Sequence, residues 1–215
     1  MMAVRVDLNV SLDGFATTTD QTPENPFGED WSRLVAAYTA TWTFRSRVLG
    51  DTSGAGTTGV DERYAQEYFE GVGAEIMGAG MFGLHQNPDD PEWRGWWGDE
   101  PPFEVPVFVL THSQREPIEF ANGTVFHFVD TTPEDALARA TAAAGDRDVR
   151  VGGGIDVVRQ FVRTGLVDRL HLAVNPLVIG SGERIWDGLR GIENDYELRS
   201  EVAESGVIHL NFRRS

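Results

Sequence analysis

Three consecutive glycines, Gly152, Gly153 and Gly154, form the stretch of this sequence best suited to chemistry. A short apolar run over residues 149–151 precedes them, and apolar positions at helical spacing begin at Ile155. Glycine has no Cβ, so its backbone N–H groups can approach an anion closely, and a following helix directs further N–H groups to the same place. Such a turn suits a phosphate group. The alternative is a tight turn that only packs against a neighbouring segment.

The elements around this turn are predicted from hydrophobic spacing. Ile155, Val158 and Phe161 share one face of a helix, and Gly165 falls where a left-handed C-terminal cap is expected. Residues 170–175 then alternate apolar and polar side chains, which indicates a strand. The order is therefore strand, glycine turn, helix, strand.

The rest of the chain alternates strand and helix patterns. Strands are predicted over residues 4–10, 74–77, 105–111 and 124–129. Helices are predicted over residues 29–49, 60–72 and 132–144, the first capped by Asp30 and the last by Thr132. An antiparallel hairpin is predicted at 196–202 and 207–213. We expect one three-layer α/β domain over residues 1–215, with a central, mostly parallel sheet and a C-terminal antiparallel hairpin.

A second glycine pattern, from Gly78 to Gly83, has the spacing of a dinucleotide-binding fingerprint. That fingerprint needs a long helix directly after it, whereas Pro88 and Pro91 follow almost at once. A short helical turn is expected instead of a Rossmann helix. The loop behind it holds acidic side chains and His85, but their spacing matches no compact metal site, and none is predicted.

Composition excludes several classes of protein. There are 34 acidic and 18 basic residues, a formal charge of −16, which argues against nucleic acid as a partner. Every basic residue is arginine, so lysine chemistry is impossible, and the absence of cysteine excludes disulfides and thiolate chemistry. No apolar run reaches the ~20 residues of a membrane span, and the N-terminus lacks a signal pattern. We therefore expect a cytoplasmic protein that does not bind membranes.

Aromatic side chains in the loop over residues 84–104 need burial. Trp93, Trp96 and Trp97 lie there among prolines and acids. They are expected to pack on the protein's own core or on a second subunit. Together with the hairpin, this loop leads us to expect a homodimer.

Five motifs in order carry a resemblance to a known family: SLDGF at 11–15, IMGAGMFG at 76–83, VFVLTH at 107–112, VGGG at 151–154 and GLVDRLHLAVNPLVIGSGERIW at 165–186. The sequence resembles the dihydrofolate reductase-like superfamily, and more closely the branch with the reductase domain of bacterial riboflavin biosynthesis. The resemblance implies a central eight-stranded sheet. It also implies an NADPH-dependent reductase that acts on a pterin-like, pyrimidine-derived or other small conjugated heterocycle. A non-catalytic dinucleotide- or pterin-binding protein on the same fold is the alternative.

The resemblance assigns residues to the cofactor. The glycine turn with Ile155 would hold the diphosphate, and residues 176–182 would close over the nicotinamide. The full set of expected cofactor-binding residues is Asn9, Ser11, Gly78, Ala79, Gly80, Thr111, His112, Ser113, Gly152, Gly153, Gly154, Ile155, Gly180 and Gly182. Replacing Gly153 with a bulkier residue is expected to weaken cofactor binding with little loss of folding.

Two departures from the family pattern bear on mechanism. Relatives commonly carry arginine at the position of Ala79, beside the 2′-phosphate of NADPH, so NADH is possible here unless His112 or Arg115 compensates. The resemblance also implies a carboxylic acid near the first helix, where both Glu29 and Asp30 lie. The catalytic residues are expected to be Asp30, as that acid, and Asp13, beside nicotinamide and substrate. For Asp13 the alternative is a turn-forming role before Gly14.

Overall fold

The computed structural model describes residues 2–19, 21–22 and 24–215. Its strands are Val4–Ser11 (β1), Phe15–Thr17 (β2), Val72–Gly78 (β3), Pro106–Leu110 (β4), Ile118–Glu119 (β5), Val125–Val129 (β6), Asp148–Gly153 (β7), Arg169–Asn175 (β8), Glu183–Arg184 (β9), Tyr196–Val202 (β10) and Ile208–Arg214 (β11). Its α-helices are Trp31–Leu34 (α1), Ala36–Thr39 (α2), Trp42–Arg47 (α3), Val60–Phe69 (α4), Ala79–Phe82 (α5), Pro133–Ala144 (α6) and Ile155–Arg163 (α7), and a 3₁₀ turn covers Ile192–Asp195.

The described residues form a nine-stranded sheet in the order β10-β11-β8-β1-β7-β3-β4-β6-β5, and β2 pairs with β9 separately. From β1 through β7, β3 and β4 to β6 the pairings are parallel. The pairings of β11 with β8 and β10 are antiparallel. This confirms the mostly parallel α/β architecture with a C-terminal hairpin. The nine strands, against eight implied by the resemblance, include the two-residue β5, which the sequence did not predict.

The chain divides into two compact units. The first contains the chain up to Val6 and residues 71–168, and the second contains residues 7–70 and 169–215. Strand β1 thus begins in the first unit and ends in the second. The single-domain expectation stays a prediction.

In the first unit, the tryptophan loop packs on the unit's own core. Trp93 and Trp97 contact a buried cluster that includes Phe82 and Phe126. The indole of Trp93 donates a hydrogen bond to the Phe82 carbonyl at 2.9 Å, and Trp97 stacks on Phe126 with ring centroids 5.7 Å apart. Of the two partners expected for these rings, the structure shows the core. The homodimer stays a prediction.

In the second unit, the single helix predicted over residues 29–49 is wrong, because the structure has three short helices there. The chain becomes extended at Thr41, whose hydroxyl accepts a hydrogen bond from the Phe44 amide and so starts α3 afresh. Backbone bonds on either side of Thr41 go to Thr57 instead of continuing a helix. Asp30 precedes α1 but forms no side-chain cap.

Several local signals are confirmed. The Thr132 hydroxyl accepts a hydrogen bond from the Asp135 amide at 3.3 Å and caps α6, with Pro133 at its first position. Gly165 has φ of +72° just after α7, as a left-handed C-terminal residue should. One boundary differs from the prediction. Helix α4 ends at Phe69 instead of residue 72, and Gly71, with φ of +71°, separates it from β3.

A buried ion pair links the two central strands of the first unit. Arg150 on β7 pairs with Glu75 on β3, and their side chains are 2% and 0% exposed. The two residues stand directly opposite each other in the parallel register. Because burial removes water from both charges, each depends on the other for solvation.

Removing one member of this pair should destabilise the protein strongly. We expect Arg150→Met to lower the free energy of unfolding by about 3–5 kcal/mol, because it leaves the Glu75 carboxylate buried without its guanidinium. Adding Glu75→Leu to that variant should restore most of the loss, since a neutral apolar pair has no desolvation cost. Urea unfolding of both variants measures this. A double variant no more stable than Arg150→Met would contradict it.

Candidate cofactor site and the polar exit of the first strand

The carboxyl ends of three neighbouring parallel strands bring the predicted cofactor residues of the first unit to one edge. In register, Met77 on β3 stands opposite Gly153 on β7, and Gly78 stands opposite Leu110 on β4. The segments that follow these strands, at residues 78–80, 111–113 and 152–154, therefore leave the sheet side by side. Open parallel sheets bind ligands at this edge.

A bulge shapes the end of β7. Ile76 pairs with Val151 but the next residue of β3, Met77, pairs with Gly153, so Gly152 is an extra residue in β7. Such a bulge bends the strand and changes the direction in which the chain leaves the sheet.

The three glycines differ in why they are glycine. A Cβ at Gly152 would collide with Oε1 of the buried Glu75. Gly153 has φ of +144°, and a Cβ there would lie 2.9 Å from the Met81 sulfur. Gly154 has ordinary backbone angles, and no heavy atom lies within 4 Å of its added Cβ. Packing thus explains the first two glycines, and only the third faces open space.

The helix that follows Gly154 has an uncapped start. Helix α7 is nine residues long, and no side chain among the described residues caps it. The first helical hydrogen bond runs from the Val158 amide to the Gly154 carbonyl. The N–H groups of residues 155–157 therefore have no acceptor within the helix. Asp156, in this first turn, is paired with Arg159 at 2.8 Å, which partly offsets its charge. An anion beside Gly154 would accept hydrogen bonds from these N–H groups.

The Gly78–Gly80 segment lies close to that turn. A Cβ at Gly78 would lie 3.0 Å from Val157 and 3.5 Å from the Gly154 nitrogen. The predicted short helical turn is present as α5, which ends at the left-handed Gly83. Gly80 has a packing reason, since its Cβ would lie 2.9 Å from the His85 ring. The glycine at position 78 thus lets the end of β3 approach α7.

The segment directly after β4, residues 111–117, contains one arginine, Arg115, and that side chain is already hydrogen-bonded. His112 is 96% exposed and lies 2.8 Å from Asp130, a carboxylate that follows β6. Arg115 donates to the carbonyl oxygens of Asp90 and Trp93, at 2.7 and 3.2 Å. The Thr111 hydroxyl accepts a hydrogen bond from the Ser113 amide. Both groups expected to replace the missing arginine are therefore already engaged.

In the second unit, Asp13 ties two loops together. Its carboxylate accepts hydrogen bonds from the Ser11 hydroxyl at 2.6 Å, the Gly180 amide at 2.8 Å and the Ile179 amide at 3.3 Å. Burial raises the pKa of Asp13, but these hydrogen bonds outweigh it and hold the pKa below its ordinary value of 3.8. A carboxylate so stabilised is a poor proton donor near neutral pH and a good anchor for the segment over residues 176–182.

The other predicted residues of this unit are held by polar contacts. Ser11, which is buried, accepts a hydrogen bond from the Phe15 amide at 3.0 Å, and Asn9 accepts one from Asn175 at 3.4 Å. A Cβ at Gly182 would collide with the Thr17 carbonyl, because β2 and β9 pack closely. The Asp30 carboxylate forms an ion pair with Arg33. The roles of Asp13 and Asp30 in catalysis stay predictions.

Sequence reasoning missed the charged residues that shape the first unit's edge. Glu75 and Arg150 each interrupt an apolar strand, and that interruption was the available signal for a buried pair. Asp130 sits one residue beyond the predicted end of a strand, where nothing distinguished it from a turn residue. Across the described parts of the chain, no group of three or more histidine and carboxylate side chains could hold a metal ion.

None of the helices in the described ranges has the length and apolar character needed to cross a bilayer.

Replacing Asp13 should loosen the 176–182 segment. We expect Asp13→Asn to lower the melting temperature by about 2–5 °C at neutral pH, because the amide loses charge-assisted bonds to Gly180 and Ile179. A depressed pKa gives stability above 3.8 that is lost as pH falls through the lower folded value. The two proteins should therefore converge once the pH falls below that lower folded value. Thermal unfolding against pH measures this, with the exposed Asp146→Asn as control; equal melting temperatures at neutral pH would contradict it.

Known proteins with similar sequences place the chain in a family. The model of the RibD C-terminal domain matches residues 2–208. The uncharacterized protein YyaP of Bacillus subtilis (strain 168) is 22% identical over 118 residues, which are 52% of this chain and 61% of that protein. The chain thus aligns with less than two thirds of this relative.

Solved structures share the fold. A protein from Shewanella sp. PV-4 assigned to riboflavin biosynthesis matches with a TM-score of 0.63 and 19% identity, over 100% of this chain and 99% of that one. A diaminohydroxyphosphoribosylaminopyrimidine deaminase/5-amino-6-(5-phosphoribosylamino)uracil reductase from Thermotoga maritima matches with a TM-score of 0.57 and 15% identity. That match includes 100% of this chain and 57% of the Thermotoga maritima protein. Since the family model spans nearly the whole sequence, the protein belongs to the RibD C-terminal domain family and has a dihydrofolate reductase-like fold.

Proposed function

We propose that this protein is a nicotinamide-dinucleotide-dependent reductase that transfers a hydride to a pterin-like, pyrimidine-derived or related conjugated heterocycle. Membership of the RibD C-terminal domain family supports a reductase-type function. The observation that carries the proposal is the uncapped start of α7 behind Gly154, at the carboxyl edge of β7 and β3. A helix start of this kind, at the carboxyl edge of parallel strands, suits the diphosphate of a dinucleotide.

The residues present fit such a cofactor. The N–H groups of residues 155–157 would donate to the diphosphate, and the open side of Gly154 leaves room for its oxygens. The bound dinucleotide supplies the hydride, so the protein's part is to bind, orient and exclude water. Backbone donors suit this chain, because it has no lysine and a formal charge of −16.

NADPH is the cofactor that the family favours, and NADH is the second candidate. Three features reduce the advantage of a 2′-phosphate: Ala79 offers no charge, Arg115 donates to carbonyl groups, and His112 faces Asp130. A carboxylate near a ribose accepts a hydrogen bond from its 2′-hydroxyl and repels a phosphate. We infer that discrimination between the two dinucleotides is weak.

A binding protein without turnover remains the second candidate. One observation favours it: Asp13 and Asp30, the two expected catalytic carboxylates, are both engaged, Asp13 by amides and a hydroxyl and Asp30 by Arg33. A reductase on this chain would then take its proton from ordered water or from the substrate's own surroundings. Following dinucleotide oxidation by absorbance in the presence of pterin and pyrimidine substrates separates the two, since a binding protein holds the dinucleotide without oxidising it.

Enlarging Gly154 should weaken dinucleotide binding without unfolding the protein. We expect Gly154→Val to lower the affinity for NADPH and NADH by about tenfold or more, because the new side chain occupies the approach to the α7 amides. Folding should persist, since a Cβ on Gly154 has no heavy atom within 4 Å. Gly153 is unsuitable for this test, contrary to expectation, because its φ and the Met81 contact make any side chain strained.

The affinities are measured by fluorescence titration, and the melting temperature serves as the folding check. The control is Ala142→Val, which introduces the same side chain on an exposed face of α6. Unchanged affinity in a folded Gly154→Val protein would place the diphosphate elsewhere and remove the main support for the proposal.

Neutralising Asp130 should separate the two cofactors. We expect Asp130→Asn to raise the affinity for NADPH by about three- to tenfold and to leave that for NADH within about twofold, because only NADPH carries the repelled phosphate. The same fluorescence titrations measure the ratio of the NADPH and NADH affinities. The control is Glu134→Gln, at the exposed start of α6. Equal gains for both dinucleotides would show a general charge effect and contradict a 2′-phosphate next to His112.

A further inference from the structure

A chain of hydrogen-bonded side chains crosses the second unit from β1 to α4. His171 Nδ1 lies 3.2 Å from Asp7 Oδ1, and His171 Nε2 lies 2.9 Å from His209 Nδ1. His209 Nε2 in turn lies 3.0 Å from Asp61 Oδ1. These four side chains are between 3% and 16% exposed. The array is thus a nearly buried row of carboxylate, imidazole, imidazole and carboxylate.

The three contacts require three protons. A carboxylate oxygen facing a ring nitrogen, or two ring nitrogens facing each other, forms a hydrogen bond only when one proton lies between them. Two neutral imidazoles bring two protons, so the full set of bonds needs one more, and the array then carries a net charge of −1. With two protons, one contact would set two lone pairs against each other. With four, two N–H groups would meet between the rings.

Helix α4 is fastened to this array at two points. Asp61 accepts the last hydrogen bond, and the Tyr64 ring stacks on both imidazoles, 4.4 Å from His171 and 3.9 Å from His209, with planes within 8°. The Tyr64 hydroxyl also accepts a hydrogen bond from Asn211 on β11 at 2.7 Å. The protonation state of the two rings therefore bears directly on how α4 is held against β8 and β11.

We propose that the His171–His209 pair is an acid-sensitive latch, in which three protons fasten α4 to the sheet of the second unit and a fourth releases it. The fourth proton has no place between the rings, so it breaks the bond between them and adds a second buried positive charge. Besides the two carboxylates, the charged groups facing the pair are Arg63 on α4, which lies over the Tyr64 ring, and Glu201 on β10, which pairs with Arg63.

The direction of the pH effect follows from His209. Burial lowers its pKa below the ordinary 6.5; the hydrogen bond to Asp61 raises it, and the charges of His171 and Arg63 lower it again. A histidine with a depressed folded pKa binds fewer protons folded than unfolded. Its contribution is therefore complete above pH 6.5 and is lost as pH falls from 6.5 through the lower folded value. We therefore expect α4 to be released at mildly acidic pH.

Hydrogen exchange of the intact protein tests the latch. Corrected for intrinsic rates, exchange of the α4 amides should rise about tenfold or more between about pH 7.5 and pH 5, with α6 of the first unit unchanged. His209→Gln, which cannot take up the fourth proton, should show α4 exchange that is the same at both pH values. His127→Gln is the matched control, because burial also lowers the pKa of His127, yet that ring lies in the first unit. It should keep the wild-type response.

A second measurement needs no variant. Nitrogen-15 NMR of the wild-type imidazoles should show three protons in the array at about pH 7.5, as one doubly protonated ring or as fractional protonation shared with the carboxylates. Two neutral rings with ionised Asp7 and Asp61 would overturn the proposal. So would α4 exchange that does not change with pH in the wild type, or a pH response in His209→Gln equal to that of the wild type.

Discussion

The bulge at the end of β7 is the constraint on which the first unit's edge depends. Because Gly152 is inserted opposite β3, the strand bends, and Gly154 starts a helix at the point where β3 also ends. Without the extra residue, the pleat would alternate regularly past Val151, and the chain would leave β7 toward the other face of the sheet. The direction of α7, and with it the direction of its first N–H groups, follows from one unpaired residue.

The bulge and the buried ion pair constrain each other. Glu75 fills the space that a Cβ on Gly152 would need, so the glycine makes room for the carboxylate. The carboxylate in turn requires Arg150, its partner across the same two strands. Burying two charges in the middle of an apolar sheet is costly. Because Glu75 also lies against Gly152, loss of the ion pair would disturb the glycine turn as well.

The sequence predicted the order of elements well where short-range signals decide them. Strand alternation, the Thr132 cap and Gly165 all depend on neighbours within a few residues, and each is confirmed. The helix over residues 29–49 failed, because helical spacing continues through Thr41 while the backbone there bonds to Thr57, sixteen positions away. The candidate site shows the same difference between short-range and long-range features. The glycine turn was visible locally, whereas the pairing of His112 with Asp130 joins two strand ends and has no local signature.

A run of three glycines therefore carries less information about ligands than its pattern suggests. Two of the three are glycine because Glu75 and Met81 occupy the space of their side chains, which gives them a structural reason independent of any anion. The remaining one, Gly154, is open but has a backbone conformation that other residues adopt. The anion binding proposed for this edge would then come from the amides at the start of α7, whose donors do not titrate and need no basic side chain. That property suits a chain with a formal charge of −16 and no lysine, since a backbone site attracts a diphosphate at short range against an unfavourable overall field.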